Sequence, residues 1–187
     1  ILKKLKDILF RVKIDSVYGD TDVNISHITF DSRKVKQDGL FIAISGYNLD
    51  GHDYIDQSLK NGAGVVVCEK LPENYKENKI VYVCVKCSKS ALGFIASNFY
   101  DNPSSKIDLV GVTGTNGKTT ISSLLNKLFN DLKVKSGLIS TINIRYNDFV
   151  ETSNNTTSDP ITMNYHLSEM IKNKLKVCFV EVSSHGI

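Results

Sequence analysis

The run GVTGTNGKTT, residues 111–120, constrains the fold of this chain more than any other stretch. It follows the apolar residues 107–110, which predict a buried strand, and it precedes an amphipathic helix. The apolar residues of that helix share one predicted face: Ile121, Leu124, Leu125, Leu128, Phe129 and Leu132. A strand, a glycine-rich loop and a helix in this order form the context in which a loop binds phosphate groups.

Such a loop binds anions because its small residues let consecutive backbone N–H groups face the ligand, while the helix N-terminus adds partial positive charge. We therefore expect the phosphates of ATP to be bound by Gly114, Thr115, Asn116, Gly117, Lys118, Thr119 and Thr120. We expect the Lys118 ammonium to contact the outer phosphates and the Thr119 hydroxyl to bind Mg²⁺. The loop is a variant of G-x-x-x-x-G-K-[ST], because Val112 stands at its first position. The alternative is a glycine-rich turn with an exposed lysine.

Composition excludes several classes of protein. A chain of 187 residues is long enough for one or two domains with hydrophobic cores. Its 23 basic and 20 acidic residues are scattered, so the sequence predicts no nucleic-acid-binding surface. No apolar run approaches the roughly 18 residues that a membrane span needs. The first residues do not resemble a signal peptide, and we interpret them as a short helix with these inward-facing residues: Leu2, Leu5, Ile8 and Leu9.

The cysteines favour a reducing, cytoplasmic location. Cys68, Cys84 and Cys178 lie in apolar, strand-like runs, where a thiol packs as a small hydrophobic group. Cys84 and Cys87 form a C-x-x-C pair, but the sequence offers no second pair to complete a zinc site. We therefore predict free thiols and no structural zinc.

Strand and helix patterns divide the chain at the break around Pro103, which cannot continue a helix. The patterns before the break show two apolar segments, 25–30 and 40–45, and predict strands 65–68 and 80–85 and helices 52–60 and 88–100. The patterns after it predict strands 107–112, 135–140 and 176–182, helices 118–132 and 161–173, and an extended polar excursion ending near Asp159. This alternation predicts an α/β fold: a small N-terminal α/β domain, then a doubly wound, mostly parallel domain that contains the phosphate loop. Polar clusters follow the strands that end at Val112, Ile139 and Val182, where such sheets bind ligands.

Four motifs carry a resemblance to a known family. GVTGTNGKTT is followed by NNTTSDP at residues 154–160 and by EVSSHG at residues 181–186, and DSRKVKQDGLFIAISGYNLDGHDYI begins at Asp31. In their order along the chain, these four motifs resemble those of the ATP-dependent Mur ligases of peptidoglycan synthesis. The combination of NTT-x-DP with EVSSHG favours the branch that adds the third amino acid. The branch that adds the terminal dipeptide remains the alternative.

The resemblance implies a UDP-sugar-binding domain at 1–103 and the first part of the central ATP-binding domain at 104–187. It also implies that the central domain continues beyond Ile187 to a carbamylated lysine, and that a third domain binds the incoming amino acid. The implied substrates are UDP-N-acetylmuramoyl-L-alanyl-D-glutamate and free diaminopimelate or lysine. ATP would phosphorylate the D-glutamyl carboxylate, and the amine would then attack the acyl phosphate. We expect a monomer.

The resemblance also implies roles for individual residues. The implied catalytic residues are Lys118, Glu181 and His185, with Thr119 and Glu181 as ligands of Mg²⁺. The implied substrate contacts are Phe30, Ser32, Tyr47, Asn48 and Leu49 for the uridine diphosphate, and Asn155, Thr156, Thr157 and Ser183 for the muramoyl peptide.

Most of these residues have a simpler interpretation. Glu181 could be a strand-end carboxylate paired with a lysine, and the threonines and serines could be turn or helix-cap residues. We interpret Asp159 as a helix N-cap with Pro160 at the first helical position. Arg33 could brace its own loop, and His52 is more readily a packing residue than a substrate contact. For residues 1–187 alone, a nucleotide- or UDP-sugar-binding module without catalysis is the alternative to an enzyme.

Overall fold

The computed structural model describes residues 2–46, 49–73, 75, 80–152 and 159–182. The chain divides into two compact units, Ile1–Phe99 and Tyr100–Ile187. Two residues with positive φ, Asp101 and Asn102, follow this division. Pro103 is buried in a short 3-10 turn within the second unit.

The first unit is built on a mixed five-stranded sheet. Its elements are β1 (Lys3–Lys4), α1 (Leu5–Ile8), β2 (Ile14–Tyr18), β3 (Asn24–Ile25), β4 (His27–Thr29), β5 (Gly39–Ile42), α2 (Ile55–Lys60), β6 (Ala63–Cys68), β7 (Val81–Val85) and α3 (Ser88–Phe99). The sheet order is β2-β7-β6-β5-β4, with β4 to β7 parallel and β2 antiparallel to β7. β1 and β3 form a separate two-stranded antiparallel pair.

The apolar segment 25–30 is divided between two strands, because β3 pairs with β1 whereas β4 pairs with β5. One prediction for this unit is wrong, that of a helix with Leu2 on its inner face. Leu2 is 67% exposed, since the chain is extended at Lys3–Lys4 and α1 begins only at Leu5. Strand β2 was not predicted, because its residues are mostly exposed and show no clear apolar alternation.

The second unit carries the phosphate loop on another five-stranded sheet. Its elements are β8 (Asp108–Val112), α4 (Lys118–Asp131), β9 (Ser136–Ile139), β10 (Asn143–Tyr146), β11 (Phe149–Thr152), α5 (Pro160–Lys172) and β12 (Val177–Glu181). The order is β11-β10-β9-β12-β8. β8, β12 and β9 run parallel, and β10 and β11 form an antiparallel hairpin beside β9.

The hairpin corrects the predicted polar excursion. Ile144 and Tyr146 are buried in the core below α5, while the intervening Arg145 is less buried. This alternation is typical of a strand, but it spans too few residues to stand out among polar neighbours. Asn147 supplies the positive φ of the turn.

Helix α4 packs on the face of the sheet opposite to α5, and only part of the apolar surface of α4 contacts the sheet. Leu125 and Phe129 pack against the cluster that contains Phe179, with the Phe129 and Phe179 rings 5.1 Å apart. The predicted single buried face of α4 is wrong for Ile121, Leu124, Leu128 and Leu132, which are between 49% and 65% exposed. The prediction that β8 is buried is also wrong, because it is the edge strand of the described sheet. None of the described helices is long and apolar enough to cross a membrane.

Candidate nucleotide and metal site

The phosphate loop connects β8 to α4 with two glycines in conformations that other residues rarely adopt. Gly114 has φ of 143° and Gly117 has φ of 78°. A side chain at either position would strain the backbone, since positive φ is costly for residues with a Cβ atom. Gly117 is the N-cap residue of α4, so the loop passes directly into the helix.

The N-terminus of α4 has no side-chain cap, unlike that of α5. At α5 the Asp159 carboxylate accepts hydrogen bonds from the backbone N–H groups of Ile161 (2.9 Å) and Thr162 (3.0 Å), which confirms the predicted N-cap. The first N–H groups of any α-helix lack intrahelical partners. The uncapped N–H groups of α4 can therefore bind an anionic ligand.

Lys118 lies across its own loop. Its Nζ donates to the carbonyl oxygen of Gly114 at 2.7 Å and more weakly to that of Thr115 at 3.4 Å. These contacts are also compatible with the alternative of a glycine-rich turn with an exposed lysine, and they show that Lys118 is hydrogen-bonded to its own loop. The ammonium stays beside the uncapped N-terminus of α4, where it adds to the positive potential.

Glu181 is the acidic residue of the site, at the carboxyl end of β12. It is buried, and its Oε1 accepts a hydrogen bond from the Thr119 hydroxyl at 2.8 Å. Its Oε2 accepts two bonds from Thr141, from the backbone N–H at 3.0 Å and from the hydroxyl at 3.1 Å. The hydrogen-bond partners of Glu181 are thus threonines, and the alternative of a strand-end pair with a lysine is not what the structure shows.

These contacts keep the Glu181 carboxylate ionised. Burial alone would raise the pKa of Glu181. The hydrogen bonds from Thr141 and Thr119 and the charge of Lys118 outweigh burial, so the pKa lies below its usual value. A carboxylate must be deprotonated in order to bind a metal ion.

The donor set fits a magnesium ion. Mg²⁺ prefers oxygen ligands at roughly 2.0–2.1 Å in octahedral geometry, which places neighbouring ligands about 2.9 Å apart. The Thr119 Oγ1 and Glu181 Oε1 atoms are 2.8 Å apart, so both can bind one ion with little movement. Two protein ligands beside phosphate oxygens are typical of magnesium sites that serve nucleotides.

Thr141 was not identified as a site residue from the sequence. The loop after Ile139 was predicted only as one of three polar strand ends, without a named residue. A threonine two residues beyond a buried strand of a parallel sheet was the available signal.

In the first unit, the predicted uridine diphosphate contacts begin at a buried serine. Ser32 is buried, and its carbonyl oxygen accepts a hydrogen bond from Asn61 Nδ2 at 2.8 Å. Phe30 is 39% exposed and Leu49 is 67% exposed. The Arg33 guanidinium braces its loop through a two-pronged bond to Asp31, with both N···O distances 2.9 Å. Asn61 is a further residue that the sequence analysis missed.

Several predicted site residues lie outside the described part of the chain: Tyr47, Asn48, Asn155, Thr156, Thr157, Ser183 and His185. All four cysteines have free thiols, with Cys68 and Cys178 buried. Across residues 2–46, 49–73, 75, 80–152 and 159–182, no group of three or more histidine, cysteine or acidic residues could hold a metal ion.

Two family models match this chain. The family model described as "Mur ligase family, catalytic domain" matches residues 24–100, and the model described as "Mur ligase middle domain" matches residues 112–187. The chain therefore belongs to the Mur ligase family.

The relative and the two solved structures that follow bear the names of two branches of this family. A UDP-N-acetylmuramoyl-L-alanyl-D-glutamate–2,6-diaminopimelate ligase of Cytophaga hutchinsonii is 49% identical over 183 residues, which cover 98% of this chain and 38% of the relative. A solved structure of a ligase with the same name aligns over the whole chain and 37% of its own, with a TM-score of 0.74 and 22% identity. A D-alanyl-D-alanyl-adding ligase from Acinetobacter baumannii aligns over 98% of this chain and 37% of its own, with a TM-score of 0.64 and 17% identity. The two structures show the shared fold, and the chain spans well under half the length of these relatives.

Proposed function

We propose that this chain is the UDP-sugar-binding and nucleotide-binding part of an ATP-dependent ligase of peptidoglycan precursor synthesis. The reaction is the addition of 2,6-diaminopimelate to UDP-N-acetylmuramoyl-L-alanyl-D-glutamate. The choice of diaminopimelate over lysine rests on the name of the Cytophaga hutchinsonii relative. The proposed location is the cytoplasm, where these nucleotide-linked substrates are available.

The observation that carries this proposal is the contact between Thr119 and Glu181. The hydroxyl that follows the loop lysine and a buried carboxylate from β12 meet at 2.8 Å beside an uncapped helix N-terminus. The helix end suits an anionic phosphate chain, and the oxygen pair suits its divalent cation. A turn with a purely structural role would not require both an uncapped helix N-terminus and a pair of oxygen ligands.

The roles of the residues follow from phosphoryl-transfer chemistry, in which positioning and charge neutralisation lower the barrier. The loop N–H groups orient the phosphates of ATP, and Lys118 exchanges its bonds to Gly114 and Thr115 for phosphate oxygens. Thr119 and Glu181 would hold Mg²⁺, and the ion would neutralise further charge on the transferred phosphoryl group. The acceptor is the free carboxylate of the D-glutamyl residue. The amine of the third amino acid then displaces phosphate from the resulting acyl phosphate.

The first unit contains the proposed binding site for the uridine diphosphate. Phe30 and Ser32 follow the carboxyl end of β4, an edge at which parallel sheets bind ligands. Asn61 and the Asp31–Arg33 bond pair fix the backbone there. Asn155, Thr156, Thr157, Ser183 and His185 complete the proposed contacts to the muramoyl peptide and the metal.

The decisive experiment measures phosphate release by the full-length protein with ATP, Mg²⁺ and UDP-N-acetylmuramoyl-L-alanyl-D-glutamate. We expect release only when diaminopimelate is also present. Release with lysine alone would contradict the proposed specificity. Release that requires the tripeptide precursor and D-alanyl-D-alanine would instead establish the ligase of the alternative branch.

For residues 1–187 alone, we propose nucleotide binding without ligation. The supporting observation is that the chain covers only 38% of the Cytophaga hutchinsonii relative. Calorimetric titration of this segment with a non-hydrolysable ATP analogue and Mg²⁺ measures binding, and a phosphate-release assay with ATP and both substrates measures ligation. We expect binding in the first and no phosphate release in the second, and ligation by the segment would contradict the proposal.

A further inference from the structure

Thr141 restrains the oxygen of Glu181 that does not face Thr119. Its backbone N–H and its hydroxyl both donate to Oε2, at 3.0 Å and 3.1 Å. Thr119 alone would fix a single oxygen and leave the carboxylate plane free to turn about its terminal torsion, which is broad in glutamate. Two donors on the second oxygen remove that freedom.

The turn that carries Thr141 is itself rigid. The Ser140 hydroxyl donates to the carbonyl oxygen of Asn143 at 2.8 Å and accepts from the backbone N–H groups of Ile142 and Asn143. The backbone N–H of Ser140 donates to the same Asn143 oxygen at 2.9 Å. Thr141 is thus held inside a closed turn between β9 and β10.

This turn lies at the carboxyl end of the strand next to β12. Val180 of β12 pairs with Ile139 of β9, so Glu181 and the start of the turn extend side by side from one edge of the sheet. The bonds from Thr141 therefore join two strand ends, while the bond from Thr119 adds the helix behind the loop.

From this arrangement we propose that Thr141 is a positioning residue for the nucleotide-bound divalent cation. It fixes Glu181 so that Oε1 stays directed at Thr119 before the ion arrives. Less reorganisation is then needed on binding, and pre-organised ligands bind more tightly for that reason. The inference rests on the proposed function, because it assigns the ion to Thr119 and Glu181.

The test compares three threonine variants of the full-length protein, with Glu181→Gln as a fourth variant for reference. Thr141→Val removes the hydroxyl and keeps a side chain of similar shape and the backbone N–H. Thr141→Ser keeps the hydroxyl. Thr152→Val is the matched control, since Thr152 is an exposed residue of β11 outside the site.

The measured quantity is the affinity for Mn²⁺, a spectroscopic substitute for Mg²⁺, by electron paramagnetic resonance with a non-hydrolysable ATP analogue bound. We expect Thr141→Val to weaken Mn²⁺ binding about tenfold, the lower end of the loss that follows removal of a hydrogen-bond partner of a metal ligand. Thr141→Ser and Thr152→Val should stay within about twofold of the parent protein. Affinity for the analogue in EDTA should not change in any variant.

Two results would overturn the inference. One is unchanged Mn²⁺ affinity in Thr141→Val. The other is an equal loss of analogue affinity with Mn²⁺ and in EDTA, which would show general damage to the loop. The variant Glu181→Gln distinguishes a wrong role for Thr141 from a wrong assignment of the metal site. If Glu181→Gln also leaves Mn²⁺ affinity unchanged, the metal site itself is wrong, whereas a loss confined to Glu181→Gln rejects only the role of Thr141.

Discussion

The Nε2 atom of His52 accepts a hydrogen bond from the backbone N–H of Glu69 at 2.8 Å. This contact fixes the proton of the neutral ring on Nδ1, which donates to Asp50 Oδ1 at 2.6 Å. The Glu69 carboxylate in turn accepts from the backbone N–H and hydroxyl of Ser88, both at 2.8 Å. The histidine therefore links the loop after β5 to the end of β6, and through Glu69 to the start of α3.

We predict that His52→Leu destabilises the first unit by about 1–3 kcal/mol, because it leaves the partly buried Glu69 N–H without an acceptor. Hydrogen exchange measured by NMR should show faster exchange of the Glu69 amide. The same exchange rate in the variant and the parent would show that the histidine is not the acceptor in solution.

Gly51 should tolerate no side chain. A Cβ atom there would lie 2.5 Å from the backbone nitrogen of Ile44 and 2.8 Å from its oxygen, and neither backbone atom can move away cheaply. We predict that Gly51→Ala costs about 1–3 kcal/mol of stability in urea denaturation. Gly93→Ala is the control, since a Cβ there meets nothing within 4 Å. In the interior of α3 it should stabilise by about 0.5–1 kcal/mol. Equal effects of the two changes would contradict the packing argument.

Alanine variants of Lys118 and Lys127 distinguish the effect of a phosphate contact on ligation from the effect of general positive charge on α4. We predict that Lys118→Ala in the full-length protein abolishes ligation, because a charge on the transferred group then lacks its partner. Lys127, whose Nζ pairs with Asp131 at 2.6 Å on an exposed turn of the helix, is the control. Lys127→Ala should leave the rate within about twofold, since exposed pairs contribute little.

Phosphate release measures ligation, and binding of the UDP-sugar precursor shows that the first unit is intact. Substantial ligation by Lys118→Ala would remove the role given to that lysine.

His166 should make stability depend on pH. Burial lowers the pKa of His166, and the nearby carboxylates Glu151, Glu169 and Asp159 offset this only in part. With the folded pKa below the unfolded value of about 6.5, the unfolded chain takes up a proton first as pH falls. The histidine's contribution is therefore complete above about pH 6.5 and declines below it, by at most about 1.4 kcal/mol per pH unit.

The measurement compares the free energy of unfolding of the parent protein and His166→Gln from pH 7.5 to 5.5. We expect the difference between the two proteins to shift against the parent protein as pH falls. A difference that is constant over this range would contradict a lowered pKa.

The phosphate loop could be predicted from sequence because its signals are local. The glycines, Lys118 and the helix pattern lie within a short stretch, and Asp159 with Pro160 formed a complete start signal for α5. The meeting of Thr119 with Glu181 came from the family resemblance and not from spacing, since their separation along the chain carries no geometric information. The structure supplied the distance.

The failures of prediction share a cause in tertiary context. Periodicity placed Ile121 and Leu124 on the same face as Leu125, but it could not tell which part of a wide apolar stripe the sheet would cover. β10 was missed because two buried residues are too few for a clear alternation, and its pairing with β9 depends on a turn closed by Ser140. Thr141 was missed because a turn threonine is unremarkable until the strand beside it is known.

The position of the Glu181 carboxylate also depends on how β12 is aligned with β8 and β9. Glu181 lies opposite Val112 of β8, and Val180 lies opposite Ile139 of β9. Side chains alternate between the faces of a sheet, so a slip of β12 by one residue would turn the carboxylate away from α4. Such a misaligned conformer would keep its strands and helices but would separate the carboxylate from Thr119 and place it on the face that carries Val180. The proposed cation site therefore depends on the correct pairing of β12, and any selection for cation binding also acts on that pairing.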